Sequence, residues 1–385
     1  MRIGLVIERF RPLRGGADQW TLQFVRHLLA AGHEVHVVAQ DFSPQTEPLA
    51  IVRHPLGLIR SPVRRAEAAE RKLRGLALDV IHDMGVGWHC DVFEPHYGSR
   101  YGQWERKLRL LPFWLRPWKR AATRLLPRYR QLRHLMQRQF GDPQRTIIAL
   151  SKMVARDFGR FHGVPGERIR LIYNGVDPKR FSPAHREAHR DGVREGLGIA
   201  RSDVAYLFVG HDFALKGLAS AIRAVGRLAS ERQAVRLMVV GGRRSRRHVR
   251  LARSLQLEDR VNFVGLAEDP VPYYSAADAL VLPTFSDSCS LAVLEAAASG
   301  LPSVTTQFNG AAELLTDGVD GYVLADPSDD GQLADRLRRL LNPALRRRMG
   351  EAARRTALQH TFHRNCHEVL AVYRELMSRS RRRAA

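Results

Sequence analysis

Two carboxylates stand at the ends of a short strand–loop–helix segment within residues 281–323. Asp287 falls in a loop of small residues, and Glu295 follows eight positions later, two turns into a predicted helix that Gly300 and Pro302 end. The first N–H groups of a helix have no internal partners, so the segment predicts an anion site between the acids. At about 1.5 Å per helical residue, eight positions span roughly 12 Å, which suits an extended phosphate-containing ligand. The alternative is an ordinary surface helix with two unrelated acids.

The same segment resembles the signature of family 4 retaining glycosyltransferases: an acid, seven residues, Glu, then A-x-A-x-G-x-P. The resemblance implies that Glu295 holds the nucleotide ribose, that Asp287 contacts the sugar hydroxyls, and that the amides between them hold phosphate. Asp287 stands where the family usually has Glu, and Ser290 where it usually has Gly. The donor-binding set that the resemblance implies comprises Gly15, Gly16, His211, Lys216, Asp287, Ser288, Cys289, Ser290, Leu291, Glu295, Asn309 and Gly310.

A second turn, G-H-D-F-A-L-K-G at residues 210–217, separates another predicted strand from a helix. In the resembled family an Arg and a Lys five positions apart bind the donor diphosphate here; Lys216 matches the Lys, and His211 occupies the Arg position. Lipopolysaccharide-core glucosyltransferases have a similar turn without Arg that ends in Lys-Gly. An ammonium at this place would neutralise charge on a departing diphosphate. The alternative is a surface lysine before a helix.

The loop after the strand at residues 79–83 is crowded with histidines and acids. An open α/β sheet places functional groups beyond its strand ends, which makes this loop a candidate site. His96, followed by Tyr97 and Gly98, resembles the active-site histidine segment of several family members. We predict that His96 lies near the donor sugar or phosphate and joins Lys216, Asp287 and Glu295 in the catalytic set. His96 is also predicted to bind the acceptor, with Asp91 and Glu94 as secondary candidates for that role. A structural or solvated histidine is the alternative.

The chain begins with a strand at residues 2–8, a loop ending in Gly15 and Gly16, and a helix, which together predict a βαβ opening. In the resembled family such a glycine pair lets the backbone approach the donor phosphates or the acceptor; a tight turn is the alternative. The pair does not form G-x-G-x-x-G, and no Tyr-x-x-x-Lys occurs, so a dehydrogenase or epimerase is disfavoured.

Residues 100–140 carry twelve basic residues, with Glu105 as the one acid before Phe140. Trp104, Phe113, Trp114, Trp118 and Tyr129 are interleaved among them. Basic helices with tryptophans suit an anionic membrane surface, which is the first interpretation of the segment from Arg100 to Phe140. Ordinary helices that pack their aromatic residues inward come second, and nucleic acid comes third.

Strands and helices alternate through two series, which predicts an α/β protein. The resemblance implies the GT-B fold, in which two Rossmann-like domains face each other across a cleft. We predict an N-terminal acceptor-binding domain at residues 1–177 and a C-terminal nucleotide-sugar-binding domain at residues 178–361. A helix at residues 362–379 crosses back onto the first domain, and a disordered basic tail follows at residues 380–385.

The charge balance is unusual for a soluble enzyme. The 385 residues include 62 Lys and Arg against 39 Asp and Glu, a net charge of +23, which favours a polyanionic partner. Three cysteines without metal-like spacing indicate a reducing compartment. No stretch approaches the roughly 20 apolar residues of a spanning helix, and no signal peptide is apparent. We expect a cytoplasmic protein, peripheral on the inner face of the cytoplasmic membrane.

The resemblance implies a retaining hexosyltransferase that needs no metal and no cofactor. It would move a hexose, with UDP-glucose as the first choice of donor, to a saccharide or glycolipid acceptor. Lipopolysaccharide-core or cell-surface polysaccharide synthesis is the expected context, and the protein is expected to be a monomer or weak dimer. The alternative is a basic nucleic-acid-binding protein whose α/β domains serve as scaffold; its support is the net charge, because no recognised nucleic-acid motif occurs.

Overall fold

The structure is a computed structural model that describes residues 1–11, 16–242 and 245–384. It divides into two compact units, Met1–Ile172 with Asn365–Ala385, and Tyr173–Arg364. Each unit holds one parallel β-sheet with helices. The prediction of an α/β protein with two Rossmann-like domains is confirmed.

Unit 1 is built on a seven-stranded parallel sheet in the order β3-β2-β1-β4-β5-β6-β7. Its strands are β1 (Arg2–Val6), β2 (Glu34–Ala39), β3 (Val52–Pro55), β4 (Val80–Asp83), β5 (Val92–Phe93), β6 (Thr146–Ala149) and β7 (Ile169–Leu171). Its helices are α1 (Gly16–Ala30), α2 (Pro62–Arg74), α3 (Arg100–Lys107), α4 (Arg116–Leu125), α5 (Pro127–Gly141) and α6 (Lys152–His162). The central strands are almost wholly buried and rich in Val and Ile, as expected of a parallel sheet covered on both faces.

Unit 2 has a six-stranded parallel sheet in the order β10-β9-β8-β11-β12-β13. Its strands are β8 (Val204–Val209), β9 (Val235–Val240), β10 (Val261–Gly265), β11 (Ala279–Val281), β12 (Ser303–Thr306) and β13 (Gly321–Leu324). Its helices are α7 (Arg186–Gly196), α8 (Leu218–Ser230), α9 (Arg246–Ser254), α10 (Val271–Ala276), α11 (Leu291–Ala298), α12 (Asp330–Arg339) and α13 (Pro343–Gln359).

The last helix, α14 (Phe362–Ala384), belongs to unit 1 from Asn365 onward. It is anchored there by buried polar contacts: Asn365 Oδ1 accepts a hydrogen bond from Trp20 Nε1 at 2.9 Å, and the Tyr373 hydroxyl lies 2.6 Å from His82 Nδ1. The expected disorder of the basic tail is corrected for residues 380–384, since α14 continues to Ala384, whereas residue 385 lies outside the described residues. Arginine and alanine are good helix formers and neither glycine nor proline interrupts this stretch.

Among the described helices, none combines the length and the apolar character that crossing a bilayer requires.

Candidate active site

Three adjacent strands of unit 2 deliver the predicted donor residues to one edge of the sheet. β8, β11 and β12 are neighbours, and parallel strands end at the same edge. The loop at residues 210–217 follows β8, the loop at 282–290 follows β11, and the turn at 307–309 follows β12. Residues distant in sequence therefore share one edge because of strand order.

Lys216 and Asp287 form an ion pair between two of these loops. Their side chains are 22% and 13% exposed, so the pair is shielded from solvent but accessible. The loops are held together by backbone contacts, including a hydrogen bond of 2.8 Å from the Phe285 N–H to the Leu215 carbonyl. The prediction assigned Lys216 to phosphate and Asp287 to sugar; in this structure the two side chains bind each other.

A glycine fixes the position of the lysine. Gly217 has a φ of +81°, and a Cβ there would lie 2.0 Å from the Pro283 carbonyl oxygen. Only glycine tolerates both the left-handed backbone and this close approach without displacement. The Lys-Gly ending of the turn therefore has a steric cause.

The entrance of α11 is a small-residue loop followed by an uncapped helix start. Ser288, Cys289 and Ser290 are buried, and Ser290 is the N-cap residue, yet within the described residues no side-chain hydrogen bond caps this helix. The first N–H groups of α11 consequently remain available to an anion. Leu291, the first helical residue, is half-buried.

Asn309 supports this loop. It is fully buried, and its Oδ1 accepts hydrogen bonds from the N–H groups of Ser290 at 3.2 Å and Ala311 at 3.1 Å. Gly310, also buried, donates its N–H to the Asp287 carbonyl at 2.9 Å. These contacts use the polar atoms of Asn309 within the protein, and its part in donor binding stays a prediction.

Glu295 lies at the fifth position of α11, about one turn into the helix. The distance of roughly 12 Å from Asp287 to Glu295 assumed a helical rise at all eight positions. That assumption is wrong, because the helix begins only at Leu291. Glu295 Oε2 accepts a hydrogen bond of 2.7 Å from the hydroxyl of Tyr274, a buried residue of α10. Burial raises the pKa of Glu295, and the hydrogen bond from Tyr274 and the charge of Arg180 act in the opposite direction.

Sequence reasoning missed Tyr274. It lies 21 positions before Glu295, and no motif joins the two. The one available indication is its place in the helix that leads into β11, the strand that also feeds the Asp287 loop.

His211 is exposed beside Lys216 in the turn after β8. Its Nδ1 accepts a long hydrogen bond of 3.4 Å from the N–H of Gly242. Desolvation and the positive charge of Lys216 lower the pKa of His211. A neutral imidazole at this position offers a hydrogen-bond donor in place of a second cation.

In unit 1, the carboxylate of Asp83 shapes the loop that leads to His96. It accepts N–H hydrogen bonds from Gly85, Val86 and Gly87 at 2.8, 2.6 and 2.7 Å and is fully buried. Burial raises the pKa of Asp83, and the three N–H bonds oppose that effect. This turn sets the start of the segment that contains His96.

The structure separates the predicted acceptor residues. Asp91 precedes β5, is exposed, and accepts the N–H of Ile81 at 2.7 Å, whereas Glu94 and His96 follow β5 at the other strand end. Glu94 is fully buried, and its part in acceptor binding stays a prediction. His96 is half-buried, with its ring centroid 4.8 Å from that of Trp20.

The predicted glycine pair falls at the start of α1. Gly16 is the first residue of that helix and is exposed. Gly15 lies outside the described residues. Its role in donor or acceptor binding stays a prediction.

In the basic segment from Arg100 to Phe140, some aromatic residues pack against the protein and others are exposed to solvent. Trp104 packs edge-on against Tyr129 with ring centroids 5.2 Å apart. Phe113, Trp114 and Trp118 instead have exposed fractions of 78%, 59% and 76%. Three large aromatic side chains of this segment are therefore exposed, whereas Trp104 is packed.

Two protein-family models match the chain. The model for Glycosyltransferase Family 4 matches residues 14–180, and the model for Glycosyl transferases group 1 matches residues 190–356. The two matches together extend over both units.

Characterised relatives agree with these models. The lipopolysaccharide glucosyltransferase WaaG of Escherichia coli strain K12 is 31% identical over 238 residues, which cover 61% of this chain and 63% of WaaG. More than a third of that relative's own length is thus unmatched. The D-inositol 3-phosphate glycosyltransferase of Acidothermus cellulolyticus is 27% identical over 436 residues, covering 99% of this chain and 91% of the relative.

Solved structures share the fold. The crystal structure of WaaG matches with a TM-score of 0.82 at 24% identity, covering 96% of this chain and 99% of WaaG. Anabaena HepE, solved in complex with UDP-glucose, matches with a TM-score of 0.74 at 19% identity, covering 97% and 100%. These likenesses establish the two-domain GT-B type of fold.

Proposed function

The chain belongs to the two-domain glycosyltransferases that join a family 4 domain to a group 1 domain, and we propose that it is a retaining hexosyltransferase. The observation that carries the proposal is the Lys216–Asp287 ion pair at the sheet edge where the uncapped helix bearing Glu295 begins. A cation, a carboxylate and free helix N–H groups at one place suit a nucleoside diphosphate sugar. UDP-glucose is our first choice of donor.

Each group has a separate part in donor binding. The diphosphate draws the Lys216 ammonium toward itself, supported by the N–H groups at the start of α11. Asp287, released from the lysine, accepts hydrogen bonds from the sugar hydroxyls. Glu295 keeps Oε2 on Tyr274 and offers Oε1 to the nucleotide ribose.

Transfer then proceeds on one face of the sugar without a resident metal. The bond between the anomeric carbon and the diphosphate oxygen breaks, and the acceptor oxygen bonds to the same face of that carbon. The departing diphosphate takes the acceptor's hydroxyl proton. Lys216 and the dipole of α11 stabilise the charge that builds on the leaving group.

The acceptor is a saccharide or glycolipid of the cell envelope. A lipopolysaccharide-core acceptor carries phosphate, which suits the net charge of +23. The name of the E. coli relative, a lipopolysaccharide glucosyltransferase, supports this class of acceptor.

The protein works at the cytoplasmic face of the inner membrane, docked through residues 100–140. The exposed rings of Phe113, Trp114 and Trp118 would enter the interfacial region while surrounding arginines and lysines meet anionic lipid. Each basic residue near such a surface contributes about 1 kcal/mol.

A transfer assay tests the proposed activity. The wild-type protein should release UDP from UDP-glucose in the presence of a deacylated lipopolysaccharide core, and Lys216→Ala and Glu295→Ala should abolish release. Lys179→Ala, which removes an exposed lysine of unit 2 that is not part of these loops, should retain it. Near wild-type rates in both site variants would refute the mechanism.

A salt titration separates the enzyme from the basic nucleic-acid-binding alternative. Tight binding of nucleic acid with a steep salt dependence, and no response to any nucleotide sugar, would favour that alternative.

A further inference from the structure

A chain of buried polar side chains joins the C-terminal helix to His96. The Tyr373 hydroxyl lies 2.6 Å from His82 Nδ1, and His82 Nε2 lies 3.0 Å from Glu94 Oε2. Glu94 Oε1 in turn lies 3.6 Å from His96 Nε2. Tyr373, His82 and Glu94 are all fully buried, so the chain runs through the interior of unit 1.

The charges along this chain determine where the protons sit. A carboxylate buried without a partner is costly. The Glu94 carboxylate makes no hydrogen bond within the described residues, but each of its oxygens faces an imidazole nitrogen, at 3.0 Å for His82 and 3.6 Å for His96. The Tyr373 hydroxyl can donate to His82 Nδ1, which leaves the proton of that ring on Nε2, facing Glu94. Among the described residues, the Cys366 thiol of α14 also faces Glu94, and its pKa is raised first by burial and then by Glu94 itself.

The same reasoning applies to His96. At 3.6 Å its Nε2 is too far from Glu94 Oε1 for a hydrogen bond, but the nearby carboxylate electrostatically favours a hydrogen on that nitrogen, which leaves Nδ1 as the acceptor. Burial lowers the pKa of His96, with Glu94 opposing and His82 adding to the effect. The ring is therefore held as a neutral imidazole.

A second set of contacts fixes the plane of the His96 ring. The Trp20 ring centroid of α1 lies 4.8 Å from that of His96. Trp20 is itself held by the hydrogen bond of 2.9 Å from its Nε1 to Asn365 Oδ1 of α14. The C-terminal helix thus supports His96 twice, through Trp20 and through the buried polar chain.

We propose that Tyr373, His82 and Glu94 are positioning residues that hold His96 as its Nε2–H tautomer, with Nδ1 presented to accept a hydrogen bond from a hydroxyl of the sugar substrate. The substrate part of this proposal rests on the proposed function. Glu94 acts through His96 and does not itself touch the acceptor, which replaces the role predicted from sequence. The C-terminal helix becomes a part of the site although its residues follow all the others in the chain.

The first test reads the tautomer without any substrate. In ¹⁵N-histidine-labelled protein, the ring correlations of His96, assigned by their loss in His96→Gln, should show the Nε2–H tautomer between pH 7 and 8. Glu94→Gln keeps the shape of the side chain but offers an amide, and it should shift His96 toward the other tautomer or a mixture. A wild-type His96 that is the Nδ1–H tautomer, or an unchanged His96 in Glu94→Gln, would overturn the proposal.

The second test reads transfer. Tyr373→Phe removes one hydrogen bond and Glu94→Gln removes the charge that faces His82 and His96, and each should lower kcat/KM by about tenfold. In a His96→Ala background they should have no further effect, since a positioning residue has nothing left to position. Tyr206→Phe is the matched control, because Tyr206 is also a buried tyrosine whose hydroxyl donates to a backbone carbonyl, that of Leu337 at 2.8 Å, in unit 2. Full additivity with His96→Ala would contradict the proposal.

The two tests separate this inference from the proposed function. If the tautomer and its response to Glu94→Gln are as expected but no nucleotide sugar supports transfer, the positioning of His96 stands and the proposed function fails.

Discussion

At the scale of single residues, the carboxylate of Glu295 is shared between the protein and, in our account, the donor ribose. Tyr274 occupies Oε2 and so fixes the rotation of the carboxylate. A buried hydrogen bond to a charged group contributes about 1.5–3 kcal/mol, which makes this contact large enough to affect donor binding.

Tyr274→Phe should therefore raise the KM for the donor about tenfold or more while changing kcat less, because the lost bond orients a binding group. Burial already raises the pKa of Glu295 and the Tyr274 hydroxyl opposes that shift, so its removal raises the pKa further. Donor binding needs the carboxylate, so the acid limb of the kcat/KM profile should move to higher pH. A pH–rate profile measures both effects, and an unchanged profile with an unchanged KM would exclude the role of Tyr274.

A second residue-scale prediction concerns stability. His162 stacks on Phe140 with ring centroids 3.9 Å apart, and burial lowers its pKa from 6.5 to about 4. As the pH falls below 6.5, His162 becomes protonated in the unfolded chain, whereas in the folded chain it stays neutral until about pH 4. The contribution of neutral His162 to the free energy of unfolding is therefore complete above pH 6.5. It is lost as the pH falls to 4, by up to about 3 kcal/mol.

His162→Phe should flatten the pH dependence of the unfolding free energy between pH 6.5 and 4, as measured by urea titration. His363→Phe, at an exposed position of α14, is the comparison variant and should leave that dependence in place. Equal slopes in wild type and His162→Phe would show that another group is responsible.

At the scale of elements, the loop from Gly210 to Gly217 depends on its last glycine. Gly217→Ala combines a left-handed backbone with a Cβ 2.0 Å from a carbonyl oxygen, so the loop must move and carry Lys216 away. We expect a loss of donor affinity of at least tenfold, measured by calorimetric titration with UDP.

Gly198→Ala is the matched comparison. Gly198 also has a positive φ, +64°, but has nothing within 4 Å of a Cβ, so this change costs only the backbone strain of about 1–2 kcal/mol. If Gly217→Ala bound UDP as well as Gly198→Ala, the steric placement of Lys216 would be disproved.

The strands, loops and helices around the site could largely be predicted from the sequence, whereas the contacts between their side chains could not. The strand, loop and helix around Asp287 could be predicted because a buried apolar run, small loop residues and Gly300 stand in order along the chain. Tyr274 could not, because its contact with Glu295 depends on how α10 packs. The Tyr373–His82 contact spans 291 positions, and periodicity does not extend so far. The high charge of the C-terminal tail predicted disorder, but the helix propensity of its Arg and Ala residues favours the continuation of α14 to Ala384.

At the scale of the whole molecule, the proposed membrane docking combines the net charge of +23 with the exposed rings of residues 100–140. Electrostatic attraction brings such a protein to an anionic surface, and aromatic insertion retains it there.

Replacing Trp114 and Trp118 together by Ser should weaken binding to vesicles rich in anionic lipid by at least about tenfold, because two exposed rings lose their interfacial contact. Vesicle cosedimentation measures this. Trp104→Phe removes a tryptophan of the same segment that packs inward, and it should bind like wild type. Equal binding of the double variant, or equal binding of wild type to zwitterionic vesicles, would contradict membrane docking.

The most direct test of the central claim is a calorimetric titration of the full-length protein with UDP. Wild type and Lys179→Met should bind with the same affinity, while Lys216→Met and Glu295→Gln should each lose at least about tenfold, because each removes a charged contact to the ligand. Equal affinity in all four proteins, or no binding of UDP, ADP or GDP by the wild type, would contradict a nucleotide-sugar site at these residues.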